Sequence, residues 1–231
     1  QTRSFMTIWM IELWERFGYY GMQALIVYYM VQRMGFEDSR ANLVWSAAAA
    51  LIYVAPAVGG WIGDKVLGTK RCMFIGAIIL AVGYALMAVP SQDTTFLFAA
   101  LGVIVVGNGL FKPNTANLVR KIYEGDDSKI DSAFTMYYMA VNVGSTVSML
   151  ATPWIKDYVN ATYGNELGWH TAFAFCSVGL VVGILLARRI DQGHQLLVVA
   201  ADGRVGPVRG VVEVVGQRVT AERVAATAIF V

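Results

Sequence analysis

The run Glu12-Leu-Trp-Glu-Arg-Phe-Gly-Tyr-Tyr20 places three ionisable side chains inside an apolar segment of membrane length. The surrounding run, residues 5–30, is long enough to cross the roughly 30 Å hydrocarbon core of a bilayer as a helix. Placing Glu12, Glu15 and Arg16 near its middle costs about 2.5–3.5 kcal/mol each on insertion scales. Intramembrane charges of this kind usually face a water-filled cavity and serve the passage of ions or substrates.

The spacing of the polar residues predicts that they share one side of the helix. Positions i, i+3, i+4, i+7 and i+11 lie on one helix face, and here they are Glu12, Glu15, Arg16, Tyr19 and Gln23. Because two carboxylates share one arginine, one acid lacks a cation of its own and is a candidate for a group that gains and loses a proton. The alternative is a buried ion-pair cluster that only fixes helix packing.

Composition indicates an all-α integral membrane protein. The 231 residues are 57% hydrophobic and 15% charged, whereas soluble domains average about 25% charged. A net charge of +2 without a basic cluster excludes nucleic acid as an expected partner. Cys72 and Cys176 have no metal-ligand spacing, and the sequence lacks the His-Glu-x-x-His and Gly-x-Ser-x-Gly motifs. We therefore expect no metal, no bound cofactor and no enzyme activity.

Hydropathy predicts six membrane spans, at about 5–33, 42–63, 71–90, 94–121, 131–158 and 168–188. Their connections differ in basic residues. One side carries nine, namely Arg3, Lys65, Lys70, Arg71, Arg120, Lys121, Lys129, Arg188 and Arg189, and the other side carries Arg33, Arg40 and Lys156. The positive-inside rule then predicts a multi-pass protein of the cell (inner) membrane, with the amino terminus and the end of helix six in the cytoplasm.

The character of the chain changes after residue 189. Residues 190–231 contain no apolar run of membrane length, and they are crowded with Val, Ala, Gly and Arg. The sequence predicts a domain over 1–189 and a tail over 190–231 that does not span the membrane. Residues 211–215, Val-Val-Glu-Val-Val, could form a short strand.

Three stretches together resemble the proton-dependent oligopeptide transporter family of the major facilitator superfamily. The first is similar to the family's helix-one motif Glu-x-x-Glu-Arg-Phe-x-Tyr-Tyr. The second resembles the superfamily's loop between helices two and three, and the third resembles the helix-five pattern Phe-Tyr-x-x-Ile-Asn-x-Gly. In this chain they stand at residues 12–20, 59–71 and 134–145. The resemblance covers 1–189 and implies the amino-terminal six-helix bundle of the superfamily fold.

The resemblance also implies roles for particular residues. Proton coupling would involve Glu12, Glu15, Arg16 and Lys112. Peptide binding would involve Arg16, Tyr19, Tyr20, Tyr53, Lys112, Tyr138 and Asn142. The gating loop would comprise Gly60, Asp64, Gly68, Lys70 and Arg71. The residues themselves allow a plainer alternative for Tyr138 and Asn142, which could form hydrogen bonds between helices without any substrate.

Lys112 is a candidate functional residue even without the resemblance to the family. It lies well inside the fourth span, and an ammonium at that depth needs a partner. Glu12 or Glu15 is the obvious candidate. The alternative is that the long lysine side chain extends to the membrane interface.

The function that the resemblance implies is proton-coupled symport of di- and tripeptides by alternating access, with protons, peptides and the lipid bilayer as partners. Members of the family have a second six-helix bundle, which is missing here. We therefore expect these residues to be the amino-terminal half of such a transporter. Two alternatives remain open, a non-transporting half-bundle or interaction subunit, and a major facilitator transporter for another small solute such as nitrate.

Overall fold

The computed structural model describes residues 3–164 and 167–201, with side chains for 3–126, 128–164 and 167–188. Throughout these ranges the regular structure is helical. The helices are α1 (Arg3–Gln32), α2 (Asp38–Ile62), α3 (Thr69–Ala88), α4 (Thr94–Ile122), α5 (Asp127–Tyr163) and α6 (Leu167–Ala201). A π-helical turn, Gly63–Leu67, follows α2. The possible strand at 211–215 lies outside the described residues.

Each predicted span lies on one helix, and the differences are at the ends. Asp93 accepts a hydrogen bond from the Thr95 amide at 2.9 Å and fixes the start of α4 where hydropathy placed it. Asp126 accepts one from the Lys129 amide at 3.3 Å, so α5 begins before the predicted residue 131. Both are ordinary aspartate N-caps. At the other end of the chain, α6 continues past the predicted end at 188 to Ala201.

Contacts divide the chain into two compact units, Gln1–Arg188 and Arg189–Val231. Within the first unit, four stretches are long and apolar enough to cross a membrane. They are Asp38–Leu67, Thr69–Ala88, Thr94–Ile122 and Leu167–Arg188. α1 and α5 have 30 and 37 residues, so length does not limit them. α1 and α5 are not among these four apolar stretches because they carry charged and polar residues within their length.

The bundle is built from close helix pairs, of which α3 with α4, α1 with α5 and α2 with α4 are the most extensive. Glycines permit this approach. A β-carbon at Gly59 on α2 would overlap the carbonyl oxygen of Gly109 on α4, and one at Gly76 on α3 would lie 2.6 Å from the Phe111 amide. Small residues at such contacts let helix backbones meet in membranes.

α6 packs against α1 through aromatic side chains. Gly179 and Gly183 leave room for the Trp14 ring of α1. Nearer the start of α6, the Tyr29 ring meets those of Trp169 and Phe173 edge-on, at centroid distances of 5.9 and 5.5 Å. The small residues thus accommodate a large ring rather than a second backbone.

A glycine-to-alanine pair tests the α2–α4 contact. We expect Gly59→Ala to lower the free energy of unfolding by about 1–3 kcal/mol, because the added methyl overpacks against the α4 backbone. Gly102→Ala on α4 is the matched control, since a β-carbon there meets no atom within 4 Å. Thermal unfolding in detergent measures both. Equal melting temperatures for the two variants would contradict the assigned contact.

Candidate functional site

The centre of the bundle holds a buried cluster of charges on two turns of α1. The exposed fractions of Glu12, Glu15 and Arg16 are 2%, 0% and 4%. Arg16 contacts Glu15 through both Nε and Nη2, and its Nε lies 3.3 Å from Oε1 of Glu12. One guanidinium therefore serves two carboxylates. In an apolar bundle this mutual pairing is what makes burial of the charges tolerable.

The two acids have different surroundings. Glu15 also receives the Asn108 side-chain amide of α4, with Nδ2 3.4 Å from its Oε1. Glu12 instead has Tyr137 of α5 as its neighbour from another helix. Oε2 of Glu12 accepts no hydrogen bond of ordinary geometry from the part of the chain that the structure describes. Glu15 is thus the more firmly held of the two acids.

Close backbone approaches bring the neighbouring helices to this cluster. Gly144 of α5 lies so near α1 that a β-carbon would come within 2.5 Å of the Leu13 carbonyl oxygen and 3.2 Å of Cβ of Arg16. On the opposite side, Gly18 leaves room for the Tyr84 ring of α3, which a β-carbon would approach to 2.7 Å. Gly144 belongs to the helix-five motif. That motif therefore contributes a packing contact beside Arg16 in addition to its polar side chains.

Lys112 lies at the edge of the cluster. It is half-buried on α4 and interacts electrostatically with Arg16, Glu15 and Glu12. Its ammonium nitrogen stands 5.3 Å from the centroid of the Tyr53 ring on α2, a distance typical of a cation–π contact. Tyr53 is itself 72% exposed. Lys112 therefore connects the buried charges to an exposed surface of the bundle.

The tyrosines of the helix-one motif flank the arginine. The guanidinium carbon of Arg16 lies 5.2 Å from the centroid of the Tyr19 ring. Tyr19 is buried and meets the half-buried Tyr20 edge-on at 5.2 Å. Gln23, the last residue of the predicted polar face, is exposed. The polar face of α1 is thus buried from Glu12 to Tyr19, and Gln23 lies outside the cluster.

The predicted binding residues of α5 lie outside the cluster as well. Tyr138 is 61% exposed, and Asn142 is exposed. The Tyr138 ring is 6.0 Å from that of Tyr137, which in turn faces Glu12. The predicted site residues therefore form two layers, a buried layer around Arg16 and an exposed layer on α2, α4 and α5.

The predicted gating loop lies at the ends of α2 and α3. Gly60 faces Pro113 of α4, and Asp64 lies in the π-helical turn. Gly68 has a φ of 81°, a backbone angle that residues other than glycine rarely adopt. Lys70 and Arg71 are exposed in the first turn of α3. Asp64 lines a cleft of about 390 Å³ together with Arg120 and Lys121 from the end of α4. The loop also contacts α4 through a hydrogen bond that Lys121 Nζ donates to Thr69 Oγ1 at 2.7 Å.

Two residues at the cluster were not predicted as site residues. Tyr84 belongs to none of the three motifs, and it is fully buried in the bundle beside Glu15 and Arg16. Tyr137 was overlooked because the motif draws attention to its neighbour, Tyr138. Helical spacing from Asn142 could not have found it, since Tyr137 lies on a different face of α5. Among the described side chains, no group of three or more His, Cys, Asp and Glu could hold a metal ion.

Comparison with known proteins places the chain in a family. Residues 70–186 match the model of the PTR2, or POT, family. The chain is 50% identical over 182 residues to dipeptide and tripeptide permease A of Proteus mirabilis (strain HI4320), a match that covers 79% of this chain and 36% of the permease. This protein therefore belongs to the POT family, and the chain spans about a third of the length of the curated relatives it matches.

Solved structures agree with this assignment. A bacterial homologue of the human drug peptide transporters PepT1 and PepT2 is 78% identical and superposes with a TM-score of 0.76, covering 79% of this chain and 40% of the other. Tetrameric PepTSo2 is 65% identical with a TM-score of 0.80, covering 99% and 48%. The chain is an integral membrane protein that forms the amino-terminal six-helix bundle of the major facilitator fold.

Replacing Arg16 tests whether the two buried glutamates depend on its positive charge. We expect Arg16→Gln to reduce the free energy of unfolding by about 3–5 kcal/mol, because it leaves two buried carboxylates without compensation. The double variant Glu15→Gln/Arg16→Gln should be less destabilised, since it removes one of those charges. Thermal unfolding in detergent at neutral pH compares them. An equal loss in both variants would show that the carboxylates do not depend on Arg16.

Proposed function

We propose that this chain is the amino-terminal half of a proton-coupled symporter of di- and tripeptides that works by alternating access. The observation that carries the proposal is the buried pair of carboxylates around one arginine, connected through Lys112 to an exposed polar face. Membership of the POT family and the likeness to a bacterial dipeptide and tripeptide permease support the substrate class. The proposal makes the chain a secondary active transporter and not an enzyme, with the proton as its coupling ion.

Glu12 is the proposed proton acceptor. Glu15 is held by two nitrogens of Arg16 and by Asn108, so protonating it would break more interactions. Glu12 shares only one nitrogen of Arg16, at 3.3 Å. When Glu12 takes up a proton it becomes neutral, and the positive charge of Arg16 and Lys112 is then less fully compensated. An anionic group can bind at that moment at lower cost.

The peptide would supply that anionic group as its terminal carboxylate. Lys112 is the cation nearest to the exposed layer, and Arg16 lies behind it. Tyr19, Tyr20, Tyr53, Tyr138 and Asn142 would bind the peptide backbone, which offers both donors and acceptors. Proton and peptide would then favour each other's binding, and thermodynamic linkage makes that coupling reciprocal. Recognition of the backbone and terminus would leave the side chains of the peptide relatively unconstrained.

Alternating access needs a second bundle against which this one moves. We propose a carboxyl-terminal six-helix bundle as that partner, because the exposed layer on α2, α4 and α5 is one wall of a site. The loop of Gly60, Asp64, Gly68, Lys70 and Arg71 would gate the cytoplasmic side. The excess of basic residues supports an inner-membrane orientation with the amino terminus and the end of helix six in the cytoplasm.

A lysine substitution tests transport. Lys112→Ala should reduce peptide uptake driven by a proton gradient to background, because the exposed layer then lacks its cation. Uptake is measured with a labelled dipeptide in proteoliposomes that contain the native protein. Lys129→Ala is the control, since this exposed lysine pairs with Asp126 at 2.6 Å, away from the cluster. Undiminished uptake in Lys112→Ala would refute the proposal.

The mass of the native protein tests the need for a second bundle. We expect an intact mass well above the 25.2 kDa of these 231 residues, because the proposed site has only one wall here. Mass spectrometry of protein purified from the native membrane measures this. A mass of 25.2 kDa without a tightly bound partner would favour the non-transporting half-bundle instead.

A further inference from the structure

We propose that Asn108 is a positioning residue for the proton-coupling acids, because its side-chain amide holds Glu15 beside Arg16 and leaves Glu12 to accept the proton. This inference rests on the proposed function, which takes Glu12 as the proton acceptor. It deepens that function by adding a residue of α4 that lies outside the three motifs.

Glycines fix the backbone of α4 on both sides of Asn108. A β-carbon at Gly107 would lie 2.7 Å from the amide nitrogen of Leu80 on α3, and one at Gly109 would lie 3.0 Å from the carbonyl oxygen of Ala55 on α2. Small residues at such contacts let helix backbones meet. The two glycines therefore pack α4 against two helices at once. Asn108, between them, has an exposed fraction of 0% and contacts a third helix, α1.

Both carboxylate oxygens of Glu15 are occupied, and Asn108 occupies one of them. Arg16 contacts Oε2 through Nε and Nη2, and Nδ2 of Asn108 lies 3.4 Å from Oε1. An ionised carboxylate can only accept hydrogen bonds, and the asparagine NH₂ group donates them. The amide is therefore matched to the charged form of Glu15, and it adds no charge of its own.

Glu12 has no equivalent donor among its described neighbours. Its Oε1 lies 3.3 Å from Nε of Arg16, and its Oε2 accepts no hydrogen bond of ordinary geometry from the described part of the chain. A proton on Glu12 therefore disturbs fewer contacts than a proton on Glu15. Part of this difference comes from α4, since α1 carries both acids and the arginine that they share.

The ionisable groups around Glu15 come from three helices, and they are Arg16 and Glu12 of α1, Lys112 of α4 and Tyr84 of α3. Asn108 lies one helical turn before Lys112, on the same face of α4. In the proposed mechanism Lys112 and Arg16 also bind the peptide, so a change in either alters several interactions together. Asn108 is uncharged, and its loss leaves both cations in place.

Two substitutions of Asn108 remove the donor and differ in packing. Asn108→Leu introduces a side chain of similar length, whereas Asn108→Ala leaves space, so the lost amide is what the two variants share. Ser177→Ala on α6 is the matched control. It removes another buried hydrogen bond between helices, which Ser177 Oγ donates to the Ala81 carbonyl oxygen of α3 at 2.9 Å.

The measurement is labelling of the purified native protein with a hydrophobic carbodiimide, which modifies protonated carboxyl groups. Tandem mass spectrometry gives the ratio of modified Glu15 to modified Glu12. We expect the wild type to be labelled mainly on Glu12. Both Asn108 variants should raise the ratio about tenfold at the same pH, because the charged form of Glu15 loses a donor. Ser177→Ala should leave the ratio unchanged.

An unchanged ratio in either Asn108 variant, or an equal rise in Ser177→Ala, would overturn the inference. A second comparison shows whether Asn108 acts through Glu15. In the Glu15→Gln background, adding Asn108→Leu should leave the pH dependence of Glu12 labelling unchanged, since the carboxylate that Asn108 holds is already absent. A shift in that background would contradict the positioning role.

Labelling separates this inference from the proposed function because it requires no transport. It decides the role of Asn108 even if the native protein moves no peptide. Absent peptide uptake by the wild type would refute the transport proposal alone. Wild-type label on Glu15 in place of Glu12 would refute the assigned proton acceptor and, with it, the positioning role.

Discussion

The structure depends on keeping one arginine and two glutamates away from lipid. Arg16, Glu12 and Glu15 would each be costly in a bilayer on their own, and their burial is tolerable only because each compensates another. This requirement explains why α1, although it carries these three charges near its middle, lies inside the bundle with α5 and α4 against it. The lysine on α4 and the tyrosine on α5 then complete the surroundings of the acids.

Close backbone contacts are what allow these polar groups to meet. Gly144 brings α5 against α1 beside Arg16, and Gly18 admits the Tyr84 ring from α3. At the α2–α4 contact, Asn114 donates to the Gly59 carbonyl at 3.0 Å and adds a polar interaction to a small-residue interface. Because side chains pack against nearly bare backbone, the relative positions of the helices are tightly constrained.

The charged side chains around Arg16 and the exposed polar side chains lie in different layers of the bundle. Glu12, Glu15 and Arg16 are buried, whereas Tyr53, Tyr138 and Asn142 lie on an exposed face, and Lys112 connects the two layers. A change of charge in the buried layer alters the potential at Lys112 because the surrounding medium is weakly polarisable. In the proposed mechanism, a peptide bound at the exposed face would respond in this way to a proton bound inside the bundle, without contacting the same atom.

The amino-acid sequence alone predicted the helical class, the six helices, the family motifs and the shared face of Glu12, Glu15, Arg16 and Tyr19, because hydropathy and helical period are local properties. It could not determine which acid Arg16 holds more firmly, or that Tyr137 rather than Tyr138 faces Glu12. Nor could it show that Tyr84 stands beside Glu15, or that Gln23 lies outside the cluster. Those facts depend on the rotation and separation of α1, α3, α4 and α5, which only tertiary packing decides.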